Sequence, residues 1–331
     1  MTFDDSLPII FMALMGVSML AYVVLDGYDL GVGMLMHRAD EAHKDTMVAS
    51  IGPFWDANET WLVLGVGMLL IAFPKAHGMV LGALYLPVAL MLVGLVMRGV
   101  AFDFRVKARD HHKQAWNRVF FAGSTLAATS QGWMLGHYIT GLNDGWAFDL
   151  FAAAIAVALP AAYVLLGAGW LILKTDGALQ AHAVKWAKLA WPPVVIGLGL
   201  VSLATPWVSE TVRHRWFSMP GFIALLPIPL TTLGALALIR VSLNSSRVTG
   251  KLCWAPFALT VAVFMLGFFG LAYSLYPFVV MDRLTLQQAA SSPATLKVIG
   301  LGAAVTVPMI AAYTVFSYRV FRGKIGELRY A

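Results

Sequence analysis

The chain has 331 residues, 60% of them hydrophobic and only 12% charged, about half the charge fraction of an ordinary globular domain. Such a composition excludes a water-soluble fold and points to an all-α, polytopic membrane protein. The formal net charge of +6 would suit a nucleic-acid partner, but its distribution argues otherwise, and the single cysteine, Cys253, excludes an internal disulfide and any cysteine-ligated metal cluster made by this chain alone.

Apolar segments predict nine transmembrane helices, at roughly 7–27, 55–74, 79–97, 119–140, 150–173, 187–206, 220–240, 254–275 and 298–319. The opening residues, MTFDDSLP, lack the basic stretch of a cleaved signal, so the first span is expected to stay. Connections and span ends on one side hold 18 of the 23 Lys and Arg residues, and the other side holds 5. The positive-inside rule then puts the N-terminus in the periplasm and the C-terminus in the cytoplasm. The excess positive charge is a topology signal, aided by anionic phospholipid, and not a nucleic-acid surface.

Span 1 ends in LDGYDLGVGML, with Asp26 and Asp29 three residues apart and so on one helical face. Placed at a helix C-terminus they oppose the dipole, which favours a buried polar partner or a water-filled path over a capping role.

Span 2 opens with GPFWDANETWL. From Trp61 to Phe73 is thirteen apolar residues, about 20 Å of helix against a hydrocarbon core of about 30 Å. The span must therefore begin near Trp55, which carries Asp56, Asn58 and Glu59 to the cytoplasmic edge, paired or held neutral. A dipole reading stays open beside this one, since Gly52-Pro53 resembles a helix start and acids suit a first turn. Four carboxylates can meet on one side of the first bundle.

Span 3 ends in VMRGVAFDFR. Arg98 can pair with one of these acids or with Asp103, or snorkel to the headgroups. Asp103 and Arg105, in the most basic loop, are expected at the surface or at an interface. Of the eight histidines only His137 falls inside a span, near its end in span 4, where a hydrogen-bonded structural role is the simpler reading. No histidine pair sits four apart on an apolar helix, so the chain is a poor candidate for holding haem or metal by itself.

An internal repeat relates the halves. AYVVLDGYDL at 21–30 aligns with AYVLLGAGWL at 162–171, and GVG at 65–67 before Pro74 aligns with GLG at 197–199 before Pro206. This predicts one transmembrane domain over 1–331 made of two parallel four-helix bundles, 1–148 and 149–276, with a peripheral ninth helix at 298–319. Asp26 and Asp29 align with Gly167 and Trp170, so the acids belong to the first half alone.

LDGYDLGVGML, GPFWDANETWL, RGVAFDFR and YPFVV at 276–280 closely resemble subunit II of cytochrome bd-type quinol oxidases, nearest to the cyanide-insensitive branch. The resemblance runs end to end. It implies a multi-pass protein of the bacterial inner membrane and a partner subunit I that holds two b-type haems, a third haem of d or b type, and the quinol-oxidising loop. A small accessory subunit is a further candidate partner. The complex would oxidise quinol and reduce dioxygen to water with protons from the cytoplasm, electrogenically but without pumping. Subunit II would supply no haem ligand, although some members hold a structural quinone in it.

The resemblance also makes Asp56, with Trp55 beside it, part of a proton channel. Glu59, Asp26 and Asp29 join Asp56 as candidate proton carriers, and Asn58, Arg98 and Asp103 as supporting residues. Glu59 stands where related sequences can carry a neutral amide. A secondary transporter with internal repeats and intramembrane carboxylates is the alternative, and a purely structural scaffold is a third reading.

Overall fold

The computed structural model describes residues 3–325. Arg329, one of the basic residues of the predicted cytoplasmic tail, lies outside the described residues.

Fourteen α-helices and one two-stranded hairpin make up the described chain. The helices are α1 (Phe3–Leu35), α2 (Glu41–Ile51), α3 (Trp55–Ala72), α4 (Pro74–Ala83), α5 (Tyr85–Lys107), α6 (Asp110–Ile139), α7 (Trp146–Lys174), α8 (Gly177–Val208), α9 (Glu210–Phe217), α10 (Gly221–Leu225), α11 (Pro227–Asn244) and α12 (Ala255–Leu275). Strands β1 (Phe278–Val280) and β2 (Leu284–Thr285) pair antiparallel, and α13 (Leu286–Ala289) and α14 (Pro293–Val320) follow. The YPFVV motif thus leads into β1, whose Val279 carbonyl accepts from Tyr138 Oη at 2.6 Å.

Seven of these helices are long and apolar enough to cross a membrane, and the α3–α4 pair, bent by 118°, is an eighth candidate. The segment predicted as span 4 lies in α6, which is long enough but carries Ser124, Thr125, Thr129, Ser130 and Gln131 in mid-helix. The hydroxyls of Thr125 and Thr129 bond carbonyls one turn back, which satisfies them within the helix.

Several predicted boundaries move for physical reasons. The second span was expected to run to 74, but α3 stops at Ala72 because Pro74 has no N–H to continue the ladder. The carbonyls of Ile71 and Ala72, left without helical partners, accept instead from Ser291 Oγ at 2.7 Å and Ser291 N at 2.8 Å. The third span accordingly begins at Tyr85 rather than 79 and continues to Lys107.

α1 does not end at 27 but runs to Leu35, and residues 26–35 are all buried. Asp26 and Asp29 therefore sit about two turns inside the helix, and opposition to a C-terminal dipole, which fades within the last turn, is not what their placement reflects. The extension is a packing effect. A Cβ on Gly31 would lie 1.9 Å from the Tyr163 carbonyl oxygen, and one on Gly167 would lie 2.5 Å from Val32 N. Only glycine on both sides lets α1 and α7 cross backbone to backbone.

α1, α3, α5 and α6 pack together, as do α7, α8, α11 and α12; α7 joins the two groups through α1 and α6. α14 lies against α3 and α1. Its end is tied to α7: Lys174 Nζ donates to the Phe321 carbonyl at 2.5 Å, and Lys324 Nζ donates to that of Thr175 at 2.7 Å. This brings Tyr318 of α14 over the ends of α1 and α3.

Candidate functional site

α1 and α3 face each other across the first bundle, and α5 supplies the cation between them. Arg98 is 1% exposed. Its Nη1 donates to Asp26 Oδ1 at 2.5 Å, and its Nη2 donates to Glu59 Oε1. The arginine thus pairs with the acids and does not snorkel, because its α5 position faces the bundle rather than the membrane edge. The alternative pairing with Asp103 is not formed; that residue is exposed on α5, outside the cluster.

Asn58 organises the other half of the site. Its Nδ2 donates to Asp29 Oδ2 at 2.8 Å, to Tyr28 Oη at 3.0 Å and to the Leu25 carbonyl at 3.2 Å. Its Oδ1 accepts from Tyr318 Oη at 3.3 Å, and the Tyr28 and Tyr318 hydroxyls are 2.6 Å apart. A neutral amide that reads α1, α3 and α14 at once fixes the register of the three helices.

Asp26 and Asp29 are fully buried, Glu59 keeps 28% of its side chain exposed, and Asp56 is exposed. Asp56 and Glu59 are three apart and share a face of α3. The carboxyl groups therefore descend from the protein surface to its interior, two on each helix. Trp55 flanks them with its ring 5.0 Å from that of Phe102.

Asp26 and Glu59 share the Arg98 guanidinium, whereas Asp29 is held by the Asn58 amide. Asp26 Oδ2, Asp29 Oδ1, Arg98 Nε and, nearby in the bundle, Ser124 Oγ are buried and have no hydrogen-bond partner among the described residues. Buried polar atoms are normally satisfied, and four without a partner in one bundle set this cluster apart from the rest of the described core.

Three residues escape the sequence reasoning. Gln131 of α6 donates from Nε2 to Tyr22 Oη at 2.8 Å and accepts from Tyr163 Oη at 2.6 Å on Oε1. Tyr318 joins Asn58 from the far end of the chain. A glutamine within a span was the available signal for the first; nothing marked the second. Arg105, expected at the surface or an interface, is 3% exposed and donates to Asn117 Oδ1 at 2.6 Å and Asp45 Oδ1 at 2.7 Å. Its partners come from α2 and α6, so the loop expected after span 1 is a helix clamped to the bundle.

His137 Nε2 lies 3.4 Å from Asp149 Oδ1 between α6 and α7. Among the described residues the only histidines that meet across helices are His43 and His182, in α2 and early α8, away from the buried bundle. No two histidines among the described residues face each other inside the bundle that holds the acids.

The chain matches known proteins over nearly its whole length. The family model described as cytochrome bd terminal oxidase subunit II matches residues 7–321. The cytochrome bd ubiquinol oxidase subunit 2 of Bacillus subtilis is 28% identical over 97% of this chain and 98% of its own length. The cytochrome bd-I ubiquinol oxidase subunit 2 of Escherichia coli is 27% identical over 97% of this chain and 96% of its own. A chain in the structure of bd oxidase from Geobacillus thermodenitrificans has the same fold, with a TM-score of 0.78, 15% identity and coverage of 96% of this chain and 98% of that one. By the extent of that match and by the motifs that build the buried acid cluster, the chain belongs to the cytochrome bd terminal oxidase subunit II family.

Proposed function

We propose that this chain pairs with a haem-bearing subunit I in a quinol oxidase of the bacterial cytoplasmic membrane, and that its acid cluster delivers cytoplasmic protons for the reduction of dioxygen to water. Family membership and the bacterial relatives named as ubiquinol oxidase subunits support the assembly. The observation that carries the proton path is the graded burial from exposed Asp56 through half-buried Glu59 to Asp26 and Asp29.

In this account Asp56 takes a proton from water. Glu59, one turn deeper, accepts it as its pairing with Arg98 Nη2 loosens. Arg98 stays charged and balances one carboxylate at a time, so the excess acid is the one that exchanges a proton. Asp26 and Asp29, three apart on α1, pass it inward toward the partner subunit. The haems, held by subunit I, supply the oxygen chemistry. The reaction separates charge because protons and electrons arrive from different sides, without pumping.

Nine spans follow if α6 crosses with its neighbours, and the Lys and Arg count supports a cytoplasmic C-terminus with the acids on that side. The two four-helix groups support the repeat, as do Tyr22 and Tyr163: aligned in the two halves, they bond the same Gln131. The wording of LDGYDLGVGML and GPFWDANETWL supports a place in the cyanide-insensitive branch. The transporter alternative loses its footing, since the full-length relatives named above are oxidase subunits.

The test is an Asp56→Asn complex with its haem content intact. Slowed oxygen consumption and a reduced membrane potential are expected. Wild-type turnover would remove Asp56 from the path, and loss of haem without a specific kinetic defect would make the residue one of assembly.

A further inference from the structure

Outside the acid cluster, α2 and α8 bring together side chains that the mechanism does not use. Asp40 precedes α2, His43 lies one turn on, and His182 lies in the first turns of α8, far away in sequence. One ligand atom from each of the three lies within 4.8 Å of the others. The two imidazoles meet edge to face, with centroids 5.7 Å apart and planes at 84°. In that arrangement their nitrogens converge without the rings stacking.

His43 Nδ1 is buried and has no hydrogen-bond partner among the described residues; Asp40 Oδ2 stands 3.8 Å away. Asp40 is 80% exposed in its side chain and makes no capping bond to α2, so it is free to swing. A tetrahedral ion with bonds of about 2.0–2.2 Å separates its ligand atoms by about 3.4 Å. Side-chain rotation alone covers the difference from 4.8 Å.

We infer that Asp40, His43 and His182 form a binding site for a divalent transition-metal ion of the zinc class, which ties α2 to the start of α8. Two neutral imidazoles and one carboxylate are a nitrogen-rich set suited to Zn2+, with Cu2+ bound more tightly and Mg2+ or Ca2+ disfavoured. Three protein ligands leave a fourth position for water. No histidine pairing four apart on one helix announces the site, because its two imidazoles come from different helices. The ion would hold α2 in place, and α2 leads directly through Gly52 and Pro53 to Trp55 and Asp56.

The test uses the whole oxidase complex, stripped with a chelator and dialysed to equilibrium against micromolar Zn2+, with bound zinc counted per haem. The wild-type complex should retain one zinc more than His182→Gln and His43→Gln complexes. Asp40→Asn, whose exposed side chain makes folding safe, should bind that zinc at least tenfold more weakly. Zinc should raise the unfolding temperature of the wild-type complex and not of these variants. A His111→Gln change in the exposed His111–His112 pair should leave the count unchanged. Equal zinc in the wild-type and Asp40→Asn and His182→Gln complexes would overturn the site, as would loss of the zinc in His111→Gln alone.

Discussion

Arg98 and Asp26 form an ion pair at 2.5 Å in which the two side chains keep only 2% and 0% of their surface. Two charges taken out of water together cost less than either alone, but removing one partner leaves the other buried and uncompensated. Arg98→Met should therefore destabilise the protein by about 3–5 kcal/mol. The loss should appear as lower yield and a lower unfolding temperature of the haem-loaded complex. An Arg98→Met, Asp26→Asn double variant should regain part of it, whereas equal losses in the single and double variants would contradict the pairing.

Asn58→Leu removes the amide that donates to Asp29 Oδ2 and the oxygen that accepts from Tyr318. Each buried group so orphaned costs about 1–3 kcal/mol. The unfolding temperature should drop more than for Tyr318→Phe, which removes one hydroxyl and leaves the Asn58–Asp29 bond in place. The reverse order would show that Asn58 does not organise the site.

Gln131→Leu should orphan the Tyr22 and Tyr163 hydroxyls, at a cost of a few kcal/mol. Combining it with Tyr22→Phe and Tyr163→Phe should recover much of the loss, because an all-apolar replacement leaves nothing unsatisfied. Thermal unfolding of the wild-type, Gln131→Leu and triple-variant complexes, with the Tyr22→Phe, Tyr163→Phe pair as the fourth corner, measures this coupling directly.

Gly31→Ala should prevent assembly, since its methyl would meet the Tyr163 carbonyl, a backbone atom that cannot give way without moving α7. Gly199→Ala, on α8 with open space around it, should leave unfolding of the chain unchanged or slightly raised by its better helix propensity. The haem content of each complex after purification distinguishes them.

The sequence was informative where a single segment carries the constraint. The thirteen apolar residues before Pro74 are too few to span a bilayer, and α3 does begin at Trp55. Apolar length set the bounds of α12 equally well, predicted at 254–275 and observed as Ala255–Leu275. Boundaries failed where tertiary packing takes over. Residues 28–35 look like a loop because Gly31 and Gly33 favour one, yet those glycines are what lets α1 continue against α7 and α6. Asp26, Asp29 and Glu59 drew notice because a charge inside an apolar segment stands out, although the pairing of Asp26 and Glu59 with Arg98, 72 and 39 residues away, stayed open until the helices were placed. The partners of Arg105 were not legible because Asp45 and Asn117 reach it from other helices, and His43 and His182 gave no sign of meeting for the same reason.

Glu59 is the joint of the proposed path, partly exposed and bonded to the buried Arg98. Glu59→Gln keeps an acceptor for Arg98 but cannot carry a proton. The direct measurement is time-resolved proton uptake from the cytoplasmic side as the reduced complex reacts with dioxygen, in wild-type and Glu59→Gln complexes of equal haem content. The account predicts uptake slowed about tenfold or more, equivalent to about 1.4 kcal/mol on the barrier, with electron transfer from quinol unchanged. Uptake at the wild-type rate would contradict it.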